Sequence, residues 1–328
     1  NRLYISQPSL TNAIHELEKE MGINIFNRSN KGISPSIEGE VFLGYARQVL
    51  EQAKVLEDKY KGDDGGKKCF CVSTQHYSFA VNAFVDLIKR YGQDEYDFSI
   101  RETQTYEIID DVARMRSEIG ILFMNDFNEK VLNKILKAND LEFHELFVAK
   151  PHVFISRNHP LAKNSIITNE ELEAYPYLSF EQGEHNSFYF SEEIFSTTER
   201  KKNIRVRDRA TLFNLLIGLN GYTVCSGVID EKLNGKDIIS VPLADESDMR
   251  IGYIVHRKAI LSRLGNTYLG ALANYLTAGG DEPEDSVKIP QRKLQHRGRF
   301  NEMRNDGEPV CGDVREKAAE HMRRVKAT

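Results

Sequence analysis

Near the start of the chain Gln7, Ser9, Thr11 and Asn12 bring amides and hydroxyls together, with Pro8 among them. Groups of this reach can hydrogen-bond base edges in a major groove, and an Asn or Gln can address adenine through two bonds at once. Arg28 and Lys31 lie further along, two cations suited to phosphate oxygens or a minor groove. One chemistry these seven residues could perform together is the reading of double-stranded DNA. The bland reading of the same pattern is an ordinary amphipathic surface helix.

A second set of residues could hold a small molecule. Ser73, Thr74 and Gln75 fall between a predicted strand and the helix after it, Thr103 at the next such junction, and Phe123 at the end of a third strand. Asn186 and Ser226 are comparably placed further on. Ligands of open α/β sheets sit at the carboxyl ends of strands, where helix N-termini direct free N–H groups. Hydroxyls and amides there suit a small anion or carboxylate. The plainer reading makes them helix caps.

Catalytic chemistry has little support. The sequence contains no Gly-rich phosphate loop, no His-Glu-x-x-His and no Gly-x-Ser-x-Gly. The spacing of His152, His159 and His185 matches no metal pattern. Cys69 and Cys71, two apart on a predicted strand, would share one face; with Cys225 and Cys311 they are expected as buried, reduced thiols. The expectation is therefore no enzyme, no metal and no cofactor.

The DNA-reading residues need a helix under them. Ser6 can cap it, Pro8 is tolerated in a first turn, and Leu10, Ile14, Leu17 and Met21 form an apolar stripe. Gly22 is a stop. A short hairpin with a basic tip comes next. From 39 to 61 the positions Phe42, Ala46, Val49, Ala53, Leu56 and Tyr60 alternate in steps of 4 and 3, the seam of a two-helix coiled coil. Residues 62–67 have a hinge composition.

Beyond the hinge the pattern becomes strand and helix in turn. Strands are expected at 69–73, 98–101 and 119–123 with helices at 79–91 and 108–115, a parallel arrangement with helices on its faces. A second set has strands at 153–156, 177–180, 204–206 and 222–226 and helices at 170–174, 188–196 and 210–218. A strand at 251–256 and a helix at 261–276 would rejoin the first set, with crossings near 149–152 and 254–258. Residues 279–328 are charged and poor in apolar side chains, which argues for disorder.

Composition sets bounds. The 328 residues suffice for two or three domains; 40% hydrophobic and 28% charged content suit a soluble protein. No apolar run approaches the roughly 18 residues of a membrane span, so no membrane partner is expected. The net charge of −5 does not itself suggest nucleic acid.

The first 42 residues resemble the DNA-binding domain of LysR-type transcriptional regulators. The resemblance rests on Ser6-Gln7-Pro8-Ser9, Leu17-Glu18, Gly22, Phe26, Arg28, Gly32 and Glu38-Gly39 in the family's order. It implies an α/β protein with a partial winged helix-turn-helix over 1–38 and a linker helix over 39–61. Beyond these lies a two-lobed, periplasmic-binding-protein-like effector domain over 67–278. Lobe I would take about 67–150 and 254–278, lobe II about 151–253, and 279–328 would be a tail. The family's first helix would lie before Asn1, so the chain is read as an N-terminally incomplete member. The resemblance further implies a cytoplasmic, ligand-responsive bacterial regulator, a homodimer or homotetramer that binds DNA and a small effector. The alternative is a two-lobed solute-binding protein or enzyme with an unrelated N-terminal segment.

Overall fold

The computed structural model describes residues 6–29, 32–61, 68–91, 95–185, 187–229 and 234–278. Lys31, Asn186, Cys311, the hinge at 62–67 and the tail at 279–328 lie outside the described residues, as do the side chains of Leu56 and Tyr60.

Helix α1 (Gln7–Met21) starts where the Ser6 hydroxyl accepts from Ser9 N at 3.3 Å, and it ends at Gly22, whose φ of 67° is the left-handed conformation glycine adopts without penalty. The Glu18 carboxylate then accepts from Ile25 N at 2.8 Å and Phe26 N at 3.0 Å. Those bonds tie the hairpin β1 (Phe26–Ser29) and β2 (Gly32–Pro35), paired with Arg28 opposite Ile33, to the helix. Ser36 accepts from Gly39 N at 2.8 Å and so begins α2 (Ile37–Lys61). A methyl group at Gly39 would run into the Ile25 carbonyl, so glycine is needed there.

Seven elements come next: β3 (Lys68–Thr74), α3 (Ser78–Tyr91), β4 (Tyr96–Glu102), α4 (Thr105–Ala113), β5 (Ile119–Met124), α5 (Glu129–Ala138) and β6 (Leu141–Ala149). After them stand β7 (His152–Ser156), the one-turn α6 (Asn169–Leu172), β8 (Tyr177–Phe180), β9 (Asn203–Val206), α7 (Arg209–Leu219), β10 (Thr223–Cys225) and β11 (Ile238–Pro242). The described chain closes with β12 (Met249–His256) and α8 (Arg263–Ala278).

The first lobe is a five-stranded sheet in the order β4-β3-β5-β12-β6, with β4, β3 and β5 parallel. All six residues of β5 are buried, as befits a central strand covered on both faces. Phe70, Val72, Phe79, Leu87, Tyr268 and Leu272 pack α3 and α8 against one face. Ile108, Val112, Leu122, Leu132 and Leu136 pack α4 and α5 against the other. The second lobe holds the antiparallel β10-β7-β11 and the parallel pair β8-β9.

Three expectations need correction. The chain returns to the first sheet at Met249, ahead of residues 254–258, because β12 pairs along its length with β6 and antiparallel to β5. The helix expected at 188–196 is a single turn, Phe188–Phe190; beyond it Glu192 and Glu193 turn their carboxylates onto the backbone N–H groups of His76 and Phe180. Cys69 is exposed, and of the expected buried thiols Cys71 is half-buried and contacts Ser117 Oγ at 3.1 Å.

Candidate nucleic-acid interface and interlobe cavity

Gln7, Pro8, Ser9 and Asn12 are exposed on α1 and Thr11 is half-exposed, so the first turns of the helix present a continuous polar face. Arg28 is exposed on β1, on the wing beside that helix. No residue of α1 is buried: Ile14 and Leu17 of its stripe are half-buried, and Leu10 and Met21 are 39% and 50% exposed. The helix thus carries a polar face for base edges and an apolar one that is at most half-buried.

The expected effector residues turn out to be locally engaged. Ser73 is fully buried, donates to Asp111 Oδ2 at 2.6 Å and lies 2.7 Å from Ser117 Oγ, in a cluster that Arg101 and Arg116 complete through Asp111. Thr74 donates to the Gln75 carbonyl at 2.8 Å. Thr103 donates to the Glu107 carboxylate at the start of α4. Phe123 offers its backbone N–H to Gln75 Oε1 at 2.9 Å while its ring is buried in the core. Of the expected residues that are described, only Ser226, buried just past β10, lines the interlobe cavity. The hydroxyls of Ser73, Thr74 and Thr103 are thus satisfied by acceptors within the first lobe, and none of these bonds caps a helix N–H.

Gln75 opens a run of hydrogen bonds that crosses between the lobes. Its Nε2 donates to Thr105 Oγ1 at 2.6 Å, and Thr105 N donates to Gln182 Oε1 at 3.0 Å. Gln182 Nε2 donates to Glu192 Oε1 at 3.2 Å, and Glu192 Oε2 accepts from His76 N at 3.0 Å. The His76 ring stacks on Phe180 at 3.8 Å; its Nδ1 lies 2.9 Å from Glu192 and its Nε2 3.1 Å from the Arg207 carbonyl. Both ring nitrogens therefore face acceptors, an arrangement that only the imidazolium satisfies in full. Burial is the strongest single influence and opposes that charge, but the Glu192 carboxylate, Glu102 and the Arg207 carbonyl together lift the His76 pKa. Tyr106 on His185 and Phe127 on Tyr189 stack across the same gap.

Behind this seam lies a cavity of about 50 Å³, walled by His76, Glu192, Glu193 and Arg209 and by Phe154, Phe180, Leu212, Phe213 and Val224. Glu193 is 4% exposed and accepts from Phe180 N at 2.8 Å. Burial, and then the charge of Glu192, push its carboxyl up to about 8. Arg209 Nη2 lies 2.9 Å from Glu102 Oε1, close enough to pair in charge though outside hydrogen-bond angles, and Arg209 Nη1 has no hydrogen-bond partner. Glu192, Glu193, Glu102 and Arg209 carry no motif in the sequence; a Glu-Glu pair and a helix-opening Arg read as surface residues until the lobes close over them. Among the described residues no group of three His, Cys, Asp or Glu is placed to hold a metal ion.

Two family models match. Residues 70–277 match the LysR substrate binding domain, and residues 1–40 the bacterial regulatory helix-turn-helix protein of the lysR family. The first match alone spans more than half of the chain, which belongs to the LysR family. Among relatives in Escherichia coli K12, the uncharacterized HTH-type transcriptional regulator YnfL is 28% identical over 184 residues, 55% of this chain and 58% of YnfL. YbhD, also an uncharacterized HTH-type transcriptional regulator, is 23% identical over 297 residues, 88% of this chain and 90% of YbhD. The fold is shared with a full-length OxyR variant from Pseudomonas aeruginosa, at a TM-score of 0.57 and 18% identity over 83% of this chain and 90% of that one.

Proposed function

We propose that the protein is a ligand-responsive transcriptional regulator that binds DNA through α1 and its wing and senses a small molecule between the two lobes. The observation that carries this reading is the pairing, in one chain, of an exposed polar helix tied to a basic hairpin with two lobes closed over a cavity. Gln7, Pro8, Ser9, Thr11 and Asn12 would meet base edges or neighbouring phosphates, and Arg28, with Lys31, the backbone or minor groove. On α2, Ile37, Val41, Val49 and Leu50 are exposed apolar residues, suited to pairing two copies and so two recognition helices with two half-sites. A ligand that favours one arrangement of the lobes would shift how the paired copies sit on DNA. Among the described residues no helix is long and apolar enough to cross a membrane, in keeping with a cytoplasmic site of action.

Two features support this over the solute-binding or enzymatic alternative. The residues at 1–40 match a regulatory helix-turn-helix, and the α2 helix is in contact with the first lobe through Glu40 and Arg114 and through Tyr45 and His256. The expected anionic effector has less support. The hydroxyls of Ser73, Thr74 and Thr103, meant to receive it, are engaged within the chain, and two carboxyls face the cavity. The deciding experiment is binding-site selection from random duplexes, then titration of a selected site with and without a metabolite panel. A regulator yields an enriched motif whose occupancy or footprint changes with a panel member. Enrichment of nothing above background rejects the reading.

A further inference from the structure

The cavity holds a buried carboxyl that meets no counter-charge among the described residues and a guanidinium with one N–H group that meets no acceptor among them. Glu193 is buried, and among the described residues no cation pairs with it. Arg209 sits at the same cavity with its Nη1 unpartnered. The other charges there are matched, His76 by Glu192 and one arm of Arg209 by Glu102. The rest of the wall is Phe154, Phe180, Leu212, Phe213 and Val224. A buried carboxylate without a counter-charge and a buried guanidinium N–H without an acceptor each cost free energy. One ligand that supplies both partners removes both costs.

We propose that the interlobe cavity binds a small α-amino acid, its ammonium group on Glu193 and its carboxylate on Arg209 Nη1. The inference rests on the cleft being the sensor's binding site, and it narrows the ligand from any small molecule to a zwitterion with a short apolar side chain. The size restricts the ligand to the smallest amino acids, since about 50 Å³ takes roughly four water-sized groups. The electrostatics agree as well. Counted fully ionised, His76 and Arg209 face Glu102, Glu192 and Glu193, one negative charge in excess, and an overall neutral zwitterion leaves that excess unchanged while setting its ammonium against it. The titratable groups around Glu193 are Glu192, His76, Tyr77, Tyr177 and Cys225; burial raises the tyrosines and the thiol, so they stay neutral. With its carboxyl at about 8, Glu193 is mostly protonated at neutral pH and must ionise to pair with an ammonium group.

The test uses L-alanine with ethylammonium, which lacks the carboxylate, and propionate, which lacks the ammonium. Each is titrated into the full chain by thermal shift and calorimetry. L-Alanine should raise the melting temperature well above either fragment. Glu193→Gln and Arg209→Gln should each weaken L-alanine binding by about tenfold or more, Glu193→Gln reducing it towards the propionate level and Arg209→Gln towards the ethylammonium level. Calorimetry in buffers of different ionisation enthalpy should show close to one proton released at neutral pH in the wild type and markedly less in Glu193→Gln, where any remaining release belongs to His76. If propionate binds as well as L-alanine, and better still in Glu193→Gln, the cleft is a binding site for anions and the zwitterion assignment is wrong. If ethylammonium matches L-alanine, the role given to Arg209 is wrong. Equal stabilisation of wild type and both variants puts the ligand outside the cavity, which overturns the cleft reading too. No response to any of the three overturns the amino-acid proposal, while the metabolite panel tests the cleft separately.

Discussion

Gln7 and Arg28 make different demands on a duplex. An amide on a base edge discriminates between sequences, whereas a guanidinium on a phosphate binds all of them alike. Gln7→Ala should therefore cost about 1–3 kcal/mol at the selected site and little elsewhere. Arg28→Ala should weaken every duplex and flatten the salt dependence by about one unit of slope. Salt titrations on specific and random duplexes separate the two, and identical profiles would mean that the recognition surface lies elsewhere.

Glu193 makes a second prediction, in which pH is the variable. Its carboxyl is raised to about 8 by burial and by Glu192, and His76 is raised as well. Both groups thus hold their proton more tightly folded than unfolded. The resulting stability is complete below each group's unfolded value and is lost as pH rises through the folded one. For Glu193 that window opens at the ordinary carboxyl value of 4.5 and closes near 8. The melting temperature should fall from about pH 5 to about pH 8 and level off beyond, and Glu193→Gln should flatten the fall and melt above the wild type at the alkaline end. Parallel curves for the two proteins would show that Glu193 does not titrate in that window.

Helix α2 carries its apolar residues to two destinations. Gly44 is buried against the Arg114 carbonyl and Tyr45 meets His256 edge-on at 6.1 Å, whereas Val49 and Leu50 are 67% and 70% exposed. The seam expected at Phe42, Ala46, Val49 and Ala53 is therefore divided, with Phe42 and Ala46 half-buried and Val49 and Ala53 exposed. If the exposed residues pair two copies, Val49→Asp with Leu50→Asp places unpaired charge in the pairing surface, and sedimentation should report monomers. An unchanged oligomer would assign the pairing to another element. Inside the first lobe, Leu132 of α5 is fully buried against α4 and β5. Leu132→Ala should cost about 2–5 kcal/mol, read as a lower denaturation midpoint with the same slope.

One core cluster runs through both lobes, from Phe70, Phe79 and Tyr268 to Val153, Ile155 and Tyr222, while Ile108, Leu122 and Leu132 form a second within the first lobe and Leu178, Leu212, Leu216 and Ile238 a third within the second. A chain of residues 68–278 should accordingly fold without the N-terminal helices and melt cooperatively. A fragment that lacks a transition would mean that the α2 contacts at Arg114 and His256 are needed for folding.

Local chemistry was written in the order of residues. Ser6 and Gly22 bound α1 because a hydroxyl and a missing Cβ act within a few positions, and the alternating strand and helix patterns of β3 to β5 arise from burial on regular periods. Elements whose meaning depends on distant partners were illegible. Helix α5 and strands β6 and β11 carry no strong signal of their own. β12 turns the sheet mixed only because it meets β5 and β6, 90 or more positions away in the chain. The same holds for the cavity. Sequence position alone marked Thr74, Gln75 and Thr103 as polar groups at strand ends, but whether such a group caps a helix or meets a ligand depends on what the other lobe brings against it. Glu192, Glu193 and Arg209 become a site only when closure removes them from water, since an isolated charge in solvent has no unmet partner and a buried one does.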